Sequence, residues 1–329
     1  MKLSIIIPCY NVQNSISLLL NSIFVQIKNR DVEVICVNDG SADQTLDVLS
    51  NIRKSNQDLH IIDQENGGPA LARNAGLDMA TGEYVWFVDG DDIIDKNAID
   101  ILLHEIKNKP TDIICFNYKE VDVSGNIIQN RYQQNYDYSC TYNGSEAFSK
   151  FKVPAYLWNR IIRRNLIEEN SIRFGIIPED EDFLIHTYLV AKSFRFIKSC
   201  LYLYKQFDIS FSKSISTYLK YYDGYYLIMK KYCNYTSIAV HNEFWNYFLF
   251  VCLKNVIINY NRVKIASPLK KTNSRKTMYK ELRKYIIAYE GKLDRKGGKL
   301  FFIWLVKNFP FILDLSCYYL YKIRNKVAL

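Results

Sequence analysis

The amino-acid sequence predicts an α/β fold with a mainly parallel sheet, and three patterns support that prediction. Short β-rich runs alternate with segments of helical periodicity four times in succession, joined by short links. The fourth run, residues 84–88, is five apolar residues bounded by Gly82 and Asp89, which is typical of a parallel strand buried on both faces. Polar residues follow three of the runs directly, at the edge of the sheet where ligands bind in this fold class.

Each element follows from its local sequence. The predicted strands cover residues 3–7, 32–37, 59–62 and 84–88, and the predicted helices cover residues 16–27, 46–52 and 70–79. Ser41 and Gln44 match a capping box, which predicts that Ser41 caps the second helix. Because the carboxyl ends of parallel strands meet at one edge of the sheet, we expect residues 8–11, Asp39 and 89–91 to line one crevice.

Three carboxylates lie within four positions after the fourth strand: Asp89, Asp91 and Asp92, with Gly90 between the first two. Side chains alternate along an extended backbone, so Asp89 and Asp91 should project to the same side and repel each other. A hard divalent cation such as Mg²⁺ would neutralise them, because such ions take carboxylate oxygens and are often shared with substrate phosphates. The alternative is an acidic turn in which Asp92 or Asp95 caps the next helix.

Four motifs, in this order, resemble the successive signatures of family 2 glycosyltransferases with the GT-A fold. The motifs are Ile5–Asn11, Asn38–Thr45, Asn66–Gly76 and Asp89–Asp92. The resemblance implies a Rossmann-like GT-A sheet and inverting transfer of a sugar from a nucleotide-sugar donor, with UDP as the expected nucleotide and bound Mn²⁺ or Mg²⁺. No Gly-rich loop with Lys-Ser/Thr and no GxGxxG after a strand occurs in the sequence, which argues against ATPase and dinucleotide-binding functions.

The resemblance also implies a role for each residue of the donor site. Asp39 would accept a hydrogen bond from the base, and Arg73 would contact the base or the diphosphate. Asp91, together with Asp89, would hold the metal ion. The remaining implied contacts to the nucleotide sugar are Pro8, Tyr10, Asn11, Gly68 and Gly90. The residues themselves leave plainer alternatives open, since Asp39 also suits a turn or cap and Arg73 a surface salt bridge.

Inverting transfer needs a general base to deprotonate the acceptor hydroxyl. The acidic cluster at 178–183 resembles the motif in which the family keeps its base, and the best alignment places the base at Asp180. The register stays open because the same dipeptide recurs and ends at Asp182, and acidic residues are also favoured at helix starts by the macrodipole. The resemblance places Trp158 and Glu179 on the acceptor side, although Trp158 suits the protein core equally well.

The second half of the chain differs in composition from the first. Strongly apolar and aromatic stretches at 218–235 and 244–260 predict helices, and they are followed by a basic segment. The apolar segment 300–315 is interrupted by Lys307 and Pro310, so it predicts no spanning helix. The predicted domains are a GT-A catalytic domain over 1–217, with a nucleotide-sugar half over 1–120 and an acceptor half over 121–217, and a helical C-terminal extension over 218–329.

The net charge of +9 is concentrated in one segment, 264–299, which holds twelve Lys or Arg residues and three Asp or Glu residues. Aromatic residues mixed with cations suit a helix at the surface of an anionic membrane, where a lipid-linked acceptor would lie. The alternative is a helical subdomain packed on the core with a solvated basic face. Nucleic acid is not an expected partner, because no recognition motif accompanies the charge.

Cysteine usage and the N-terminal sequence predict a cytoplasmic protein, on the inner face of the membrane if the basic segment binds there. The eight Cys residues form no CxxC pair and most lie in apolar runs, so neither zinc nor a disulfide framework is expected. No signal-peptide pattern opens the sequence. The expected function is sugar transfer to a glycan or lipid-linked acceptor in surface-polysaccharide synthesis. The alternatives are nucleotidyl transfer, which would need a Gly-rich loop with Lys, and a non-catalytic nucleotide-binding component of a membrane-associated glycan assembly complex.

Overall fold

The computed structural model describes most of the chain as two compact units, and each is considered by itself. The first unit comprises 1–147, 154–175 and 183–208, and the second comprises 148–153, 176–182 and 209–329. The described residues are 1–27, 31–122, 125–131, 136–153, 156–175, 177–206, 215–233, 242–266, 280 and 283. The basic segment 264–299 lies, apart from residues 264–266, 280 and 283, outside these ranges, and so does segment 300–315. The domain boundary at residue 217 stays a prediction.

The described residues of the first unit form a ten-stranded sheet. Its strands are β1 (Leu3–Cys9), β2 (Val32–Asp39), β3 (Leu59–Gln64), β4 (Tyr84–Phe87), β5 (Ile93–Ile94), β6 (Ile113–Val121), β7 (Ile127–Arg131), β8 (Thr141–Tyr142), β9 (Arg160–Arg163) and β10 (Phe194–Lys205). The order is β3-β2-β1-β4-β9-β6-β10-β5, with β7 beside β6 and β8 beside β10.

The predicted mainly parallel sheet is confirmed. Strands β1 to β4 pair in parallel, and so do β6 and β10. Strand β9 is antiparallel to both β4 and β6, so it joins two parallel blocks that run in the same direction. Every residue of β2 is buried, as expected for a strand covered on both faces.

The helices that surround or follow these strands also match the predicted alternation. They are α1 (Ile16–Phe24), α2 (Thr45–Arg53), α3 (Pro69–Met79), α4 (Ala98–Asn108), α5 (Gly144–Phe151), α6 (Arg164–Glu169), α7 (Glu179–Val190), α8 (Ile215–Cys233) and α9 (Asn242–Ala266). Helix α3 approaches the sheet closely at Gly76, where an added Cβ would lie 2.4 Å from the Cγ2 atom of Ile6. This close packing fixes the N-terminal end of α3 beside the carboxyl ends of β1 and β2.

The described residues of the second unit are mainly helical, and the two helices predicted from the apolar stretches are confirmed as α8 and α9. Tyr232 of α8 packs edge-on against Phe248 of α9, with ring centroids 5.8 Å apart. Gly224 of α8 lies directly against the carbonyl of Ile177, since a Cβ there would fall 1.3 Å from that oxygen. The contact holds the start of α7 against α8. No helix among the described residues combines the length and apolarity needed to cross a bilayer.

Candidate active site

The loops that follow β1 and β2 hold each other through hydrogen bonds. The backbone N–H of Asn11 donates to Ser41 Oγ at 3.1 Å, and Asn11 Oδ1 accepts from the Ala42 N–H at 2.9 Å. The Val12 N–H donates to Thr45 Oγ1 at 2.9 Å. Asn11 has φ +54°, a left-handed conformation in which Asn is enriched. The Ser41 cap prediction is wrong, because α2 begins at Thr45 and the Ser41 hydroxyl serves the neighbouring loop instead.

The loops after β1 and β4 also meet. The Ser15 hydroxyl donates to the carbonyl oxygen of Gly90 at 3.0 Å. A Cβ at Gly90 would lie 3.3 Å from the carbonyl oxygen of Pro8, so the absence of a side chain permits this approach. Tyr10, the next residue after β1, is exposed. The three loops predicted to meet therefore do meet, around the end of β1.

The carboxylate of Asp39 is held beside the start of α3 by one side-chain donor and two backbone donors. Its Oδ1 atom accepts from Gln64 Nε2 at 2.8 Å and from the Gly67 N–H at 2.9 Å, and its Oδ2 atom accepts from the Gly68 N–H at 2.8 Å. Gly68 has φ +85°, which L side chains rarely adopt. An ionised carboxylate offers about four acceptor positions, so about one position on Oδ2 is left for a ligand donor. Asp39 is 3% exposed, which leaves little of its surface to solvent.

The three predicted aspartates do not surround a single point. Strand β1 lies between β2 and β4, and neighbouring strands are 4.7–4.9 Å apart, so Asp39 and the end of β4 are separated by about 10 Å. Asp39 therefore lies on one side of the end of β1, while Asp89 and Asp91 follow the strand on the other side. This separation is comparable to the distance between the base and the phosphates of a nucleotide.

Arg73 connects α3 to the carboxylate end of the crevice. Its Nη2 atom lies 3.2 Å from Asp89 Oδ1, and its guanidinium packs 5.7 Å from the ring centroid of Phe174. Arg73 is 6% exposed, whereas the side chain of Asp89 is 36% exposed, so the ion pair is buried on the arginine side and open to solvent on the carboxylate side. The sequence left open a surface salt bridge for Arg73; the structure instead buries Arg73 and pairs it with Asp89, so the ion pair joins two residues predicted to bind the donor. Phe174 was missed, because nothing in its local sequence indicates a contact with a residue 101 positions earlier.

The alternative in which Asp92 caps the next helix is wrong. The Oδ2 atom of Asp92 accepts from the Tyr202 hydroxyl at 2.8 Å, and its Oδ1 atom accepts from the Lys205 N–H at 2.7 Å. The Tyr202 oxygen in turn accepts from the Asp89 N–H at 3.1 Å. Asp92 thus ties the end of β4 to the end of β10, while α4 starts later, at Ala98. Tyr202 is a second residue that the sequence analysis missed.

The carboxylates after β4 are crowded. Burial raises the pKa of Asp91, the charge of Asp89 raises it further, and the Lys205 ammonium partly opposes both. Burial also raises the pKa of Asp92 well above its ordinary value, and the charges of Asp89 and Asp91 add to that shift. The negative charge near Asp91 is only partly balanced by the cationic side chains of Arg73 and Lys205.

The donor set of this site is oxygen-only, which fits Mg²⁺ or Mn²⁺ and does not fit a thiolate-selecting metal. Across the described ranges, no group of three or more His, Cys, Asp or Glu side chains is placed to hold a metal ion alone. Two carboxylates suffice where substrate phosphates complete the coordination, as is usual for Mg²⁺. Asp91 and Asp89 fit that arrangement.

Trp158 is part of the core of the first unit, with 7% of its surface exposed. The Trp158 ring stacks on that of Tyr202 with centroids 4.5 Å apart. The indole Nε1–H of Trp86 donates to the Trp158 carbonyl oxygen at 2.7 Å. Trp158 is therefore a core residue, which is the alternative that the sequence left open. A buried indole cannot offer a whole face to a sugar.

The acidic cluster belongs to the start of α7, in the second unit. Asp182 is buried there, and both of its carboxylate oxygens lie 2.9 Å from Lys231 Nζ. The Tyr232 hydroxyl also donates to Asp182 Oδ1 at 3.0 Å. Asp180 and Glu179 are half-buried in the same first turn. Asp182 is therefore part of a structural ion pair, and the choice of Asp180 as the base stays a prediction.

Glu181 lies between these two aspartates, and its raised pKa predicts that the free energy of unfolding depends on pH. Burial raises the pKa of Glu181 to about 7; a hydrogen bond from the Tyr225 hydroxyl and the charge of Lys254 lower it, and the charge of Asp180 raises it. The folded chain therefore binds a proton that the unfolded chain releases near pH 4.5. We expect the free energy of unfolding to fall as pH rises from about 4.5 to about 7 through this group, and to level off above that range.

Chemical denaturation of the Glu181→Gln variant across pH 4–8 measures this contribution. Between about pH 4.5 and pH 7, the free energy of unfolding should fall less for the variant than for the wild-type chain, because the neutral amide does not ionise. Glu179→Gln is the matched control, one residue before Asp180 in the same turn. Equal pH profiles for wild type and Glu181→Gln would contradict the expectation.

The comparison with known proteins identifies the family. The sequence model described as "Glycosyl transferase family 2" matches residues 4–170, just over half of the chain. The chain belongs to glycosyl transferase family 2. The matched region of this family member includes Asp39, Arg73, Asp89 and Asp91, and it ends before Asp180.

Relatives of this family 2 chain come from bacteria. The putative glycosyltransferase EpsH of Bacillus subtilis is 29% identical over 222 residues, which cover 66% of this chain and 63% of EpsH. The poly(ribitol-phosphate) beta-N-acetylglucosaminyltransferase TarS of Staphylococcus aureus is 30% identical over 209 residues, which cover 62% of this chain and 35% of TarS. The chain thus spans less than two thirds of the length of these relatives.

Solved structures show the same fold. S. aureus TarS superposes with a TM-score of 0.65 at 22% identity, covering 97% of this chain and 54% of TarS. TarS 1–349 in complex with UDP-GlcNAc gives a TM-score of 0.63 at 24% identity, covering 88% of this chain and 81% of that one. The mannosyltransferase PcManGT from Pyrobaculum calidifontis, solved with GDP-Man and Mn²⁺, gives 0.54 at 14% identity and covers 88% of this chain and 86% of its own. These likenesses confirm the predicted GT-A fold.

Proposed function

We propose that the chain transfers a sugar, with inversion, from a UDP-sugar to a glycan or lipid-linked acceptor in surface-polysaccharide synthesis. The observation that carries the proposal is the meeting of the loops after β1, β2 and β4 at one edge of the sheet, where Asp39 and the Asp89–Asp91 pair follow strands two places apart, about 10 Å by strand spacing. Family membership supports sugar transfer as the reaction. The names of EpsH and TarS, and the UDP-GlcNAc complex of TarS, support the donor and the polysaccharide setting.

The donor would lie with its base at Asp39 and its diphosphate at the end of β4. The remaining acceptor position of Asp39 Oδ2 suits the N–H of a uracil ring. Arg73 is held at the other end by Asp89 and Phe174, so its guanidinium is oriented before the diphosphate arrives. Asp91 and Asp89 would hold Mg²⁺ or Mn²⁺, which supplies stabilisation of the charge that develops on the departing UDP.

Asp180 would act as the general base toward the acceptor hydroxyl. Asp182 is the alternative base, but its carboxylate is held by Lys231 and Tyr232, so proton transfer there would disturb a structural ion pair. Glu179 precedes Asp180 in the same helical turn and would contact the acceptor. The Asp180 carboxylate would take the hydroxyl proton as the acceptor oxygen attacks the anomeric carbon and the bond to the diphosphate breaks.

A donor-hydrolysis screen tests the proposed function. The chain is incubated with UDP-, GDP- and TDP-sugars in the presence of Mn²⁺, Mg²⁺ or EDTA, and released nucleotide is measured. We expect release from at least one UDP-sugar, and we expect EDTA to suppress it. Metal-dependent UDP binding without sugar release, even with added glycan acceptors, would instead support the non-catalytic nucleotide-binding component. Absence of both binding and release would exclude both functions.

A further inference from the structure

Three tyrosine rings cover the buried Trp158. The Trp158 ring is nearly parallel to the rings of Tyr156, Tyr202 and Tyr204, with interplanar angles of 7°, 13° and 12°. The centroid distances from Trp158 to Tyr156 and Tyr204 are 5.0 Å and 5.4 Å. Tyr118 packs edge-on against both Tyr156 and Trp158. The cluster is thus a rigid stack in which four of the rings are nearly parallel.

Two of these rings reach the surface. Tyr156 is 43% exposed and Tyr204 is 37% exposed, whereas Tyr202 is fully buried. Both exposed rings are supported by the same indole, so their orientation is fixed without a ligand. Large aromatic rings held at a surface in parallel planes offer flat apolar area together with hydroxyl groups at the ring edge.

The exposed rings lie beside the carboxylate end of the crevice. Tyr204 precedes Lys205, whose backbone N–H donates to Asp92 at 2.7 Å. Tyr202, two residues earlier on the same face of β10, contacts both Asp92 and the Asp89 N–H. Burial raises the pKa of Tyr204, and the charges of Asp92, Asp91 and Asp89 raise it further, as expected for a phenol close to those carboxylates.

The sheet order shows which part of the substrates would reach these rings. A nucleotide that runs from Asp39 on β2 to the carboxylates after β4 points its diphosphate toward β9, β6 and β10. Tyr156 precedes β9, and Tyr204 lies on β10. The groups beyond the diphosphate are the donor sugar and then the acceptor, because the acceptor oxygen attacks the face opposite the leaving group.

We propose that Tyr156 and Tyr204 form a stacking platform for a pyranose ring of the acceptor. This proposal rests on the proposed function and deepens it. A pyranose presents a flat patch of C–H groups that packs on an aromatic face, while its hydroxyls project from the edge toward polar groups. An acyclic polyol phosphate has no such face. The platform therefore selects an acceptor built of sugar rings over a poly(ribitol-phosphate) chain, the acceptor named for TarS.

The test is a binding titration on the full chain with UDP and Mn²⁺ present, followed by ligand-observed NMR. The probes are the methyl pyranosides and β-linked disaccharides of glucose, galactose and N-acetylglucosamine, with poly(ribitol phosphate) as the acyclic probe. We expect at least one pyranoside to bind more tightly than the polyol. Tyr156→Ala and Tyr204→Ala should each raise the Kd of that pyranoside by about tenfold, and the Phe variants should retain the affinity.

Ile127→Ala, at an exposed apolar residue on β7, is the control and should leave the pyranoside Kd unchanged. The proposal is overturned if no pyranoside binds, if both Ala variants bind the pyranoside as tightly as wild type, or if they lose affinity for the UDP-sugar relative to UDP. The last outcome would place the donor sugar on the rings. A chain that binds pyranosides but releases sugar from no nucleotide would refute the proposed function and leave the platform standing.

Discussion

Asp91→Asn is expected to lower the rate of sugar transfer by about two to three orders of magnitude. The Asp91 carboxylate is the proposed direct ligand of the divalent ion, and a neutral amide is a much weaker ligand for a hard cation. The affinity for UDP should lose its dependence on Mn²⁺ and keep the metal-independent part supplied by Asp39 and Arg73. Steady-state kinetics and UDP calorimetry with and without EDTA measure both effects.

The stability of the same variant separates a functional loss from unfolding. Burial and the charge of Asp89 raise the pKa of Asp91, so the ionised side chain is unfavourable in the folded chain. Removing that charge should leave the Tm unchanged or raise it, as happens where function holds a site under strain. Asp100→Asn, at an exposed position on α4, is the matched control. Metal-stimulated turnover in Asp91→Asn at the wild-type rate would exclude Asp91 as the ligand.

Substitution of Asp89 is a less specific test of the metal site, because its carboxylate also pairs with Arg73. Asp89 pairs with Arg73 at 3.2 Å, and its backbone N–H donates to Tyr202. Asp89→Asn would weaken the hold on the Arg73 guanidinium as well as any metal contact, so the two causes would be mixed. The ion pair also explains how a largely buried arginine is tolerated at the crevice: its charge is matched and its plane is packed on Phe174.

The parts of the site carried by short segments could be predicted from the sequence. The five apolar residues 84–88, followed by Asp89, identified a buried strand and the loop at its carboxyl end, because strand burial and chain direction are local properties. The prediction that residues 8–11 form a loop at the same edge of the sheet is also confirmed, because that loop directly follows β1. The ion pair between Arg73 and Asp89 was not predicted: the sequence left open only a surface salt bridge for Arg73, with no partner identified.

The long-range contacts could not be predicted from local patterns. Ser41 fits a capping box by spacing, yet its hydroxyl accepts from the Asn11 N–H of another loop, a competition that spacing does not show. Asp92 fits a helix cap in the same way, but Tyr202, 110 residues later, takes its carboxylate. The antiparallel strand β9 between two parallel blocks is a third case, because pairing partners are set by tertiary packing.

Asp180→Asn is expected to lower turnover by about two to four orders of magnitude while metal-dependent UDP binding persists. An amide of the same shape cannot accept the hydroxyl proton, so only the chemical step should be affected. Asp180 lies in the first turn of α7, where the helix macrodipole favours an anion, so a small fall in Tm accompanies the loss. Single-turnover kinetics at saturating donor and acceptor, together with UDP calorimetry, separate the two effects.

Asp182→Asn decides the register of the base, because the two aspartates have opposite surroundings. Asp182 is buried and joined to Lys231 and Tyr232, so its replacement should mainly lower the Tm by weakening a largely buried ion pair. Asp180→Asn should do the reverse, with a large loss of turnover and little change in Tm. Turnover preserved in Asp180→Asn but lost in Asp182→Asn at an unchanged Tm would move the base to Asp182.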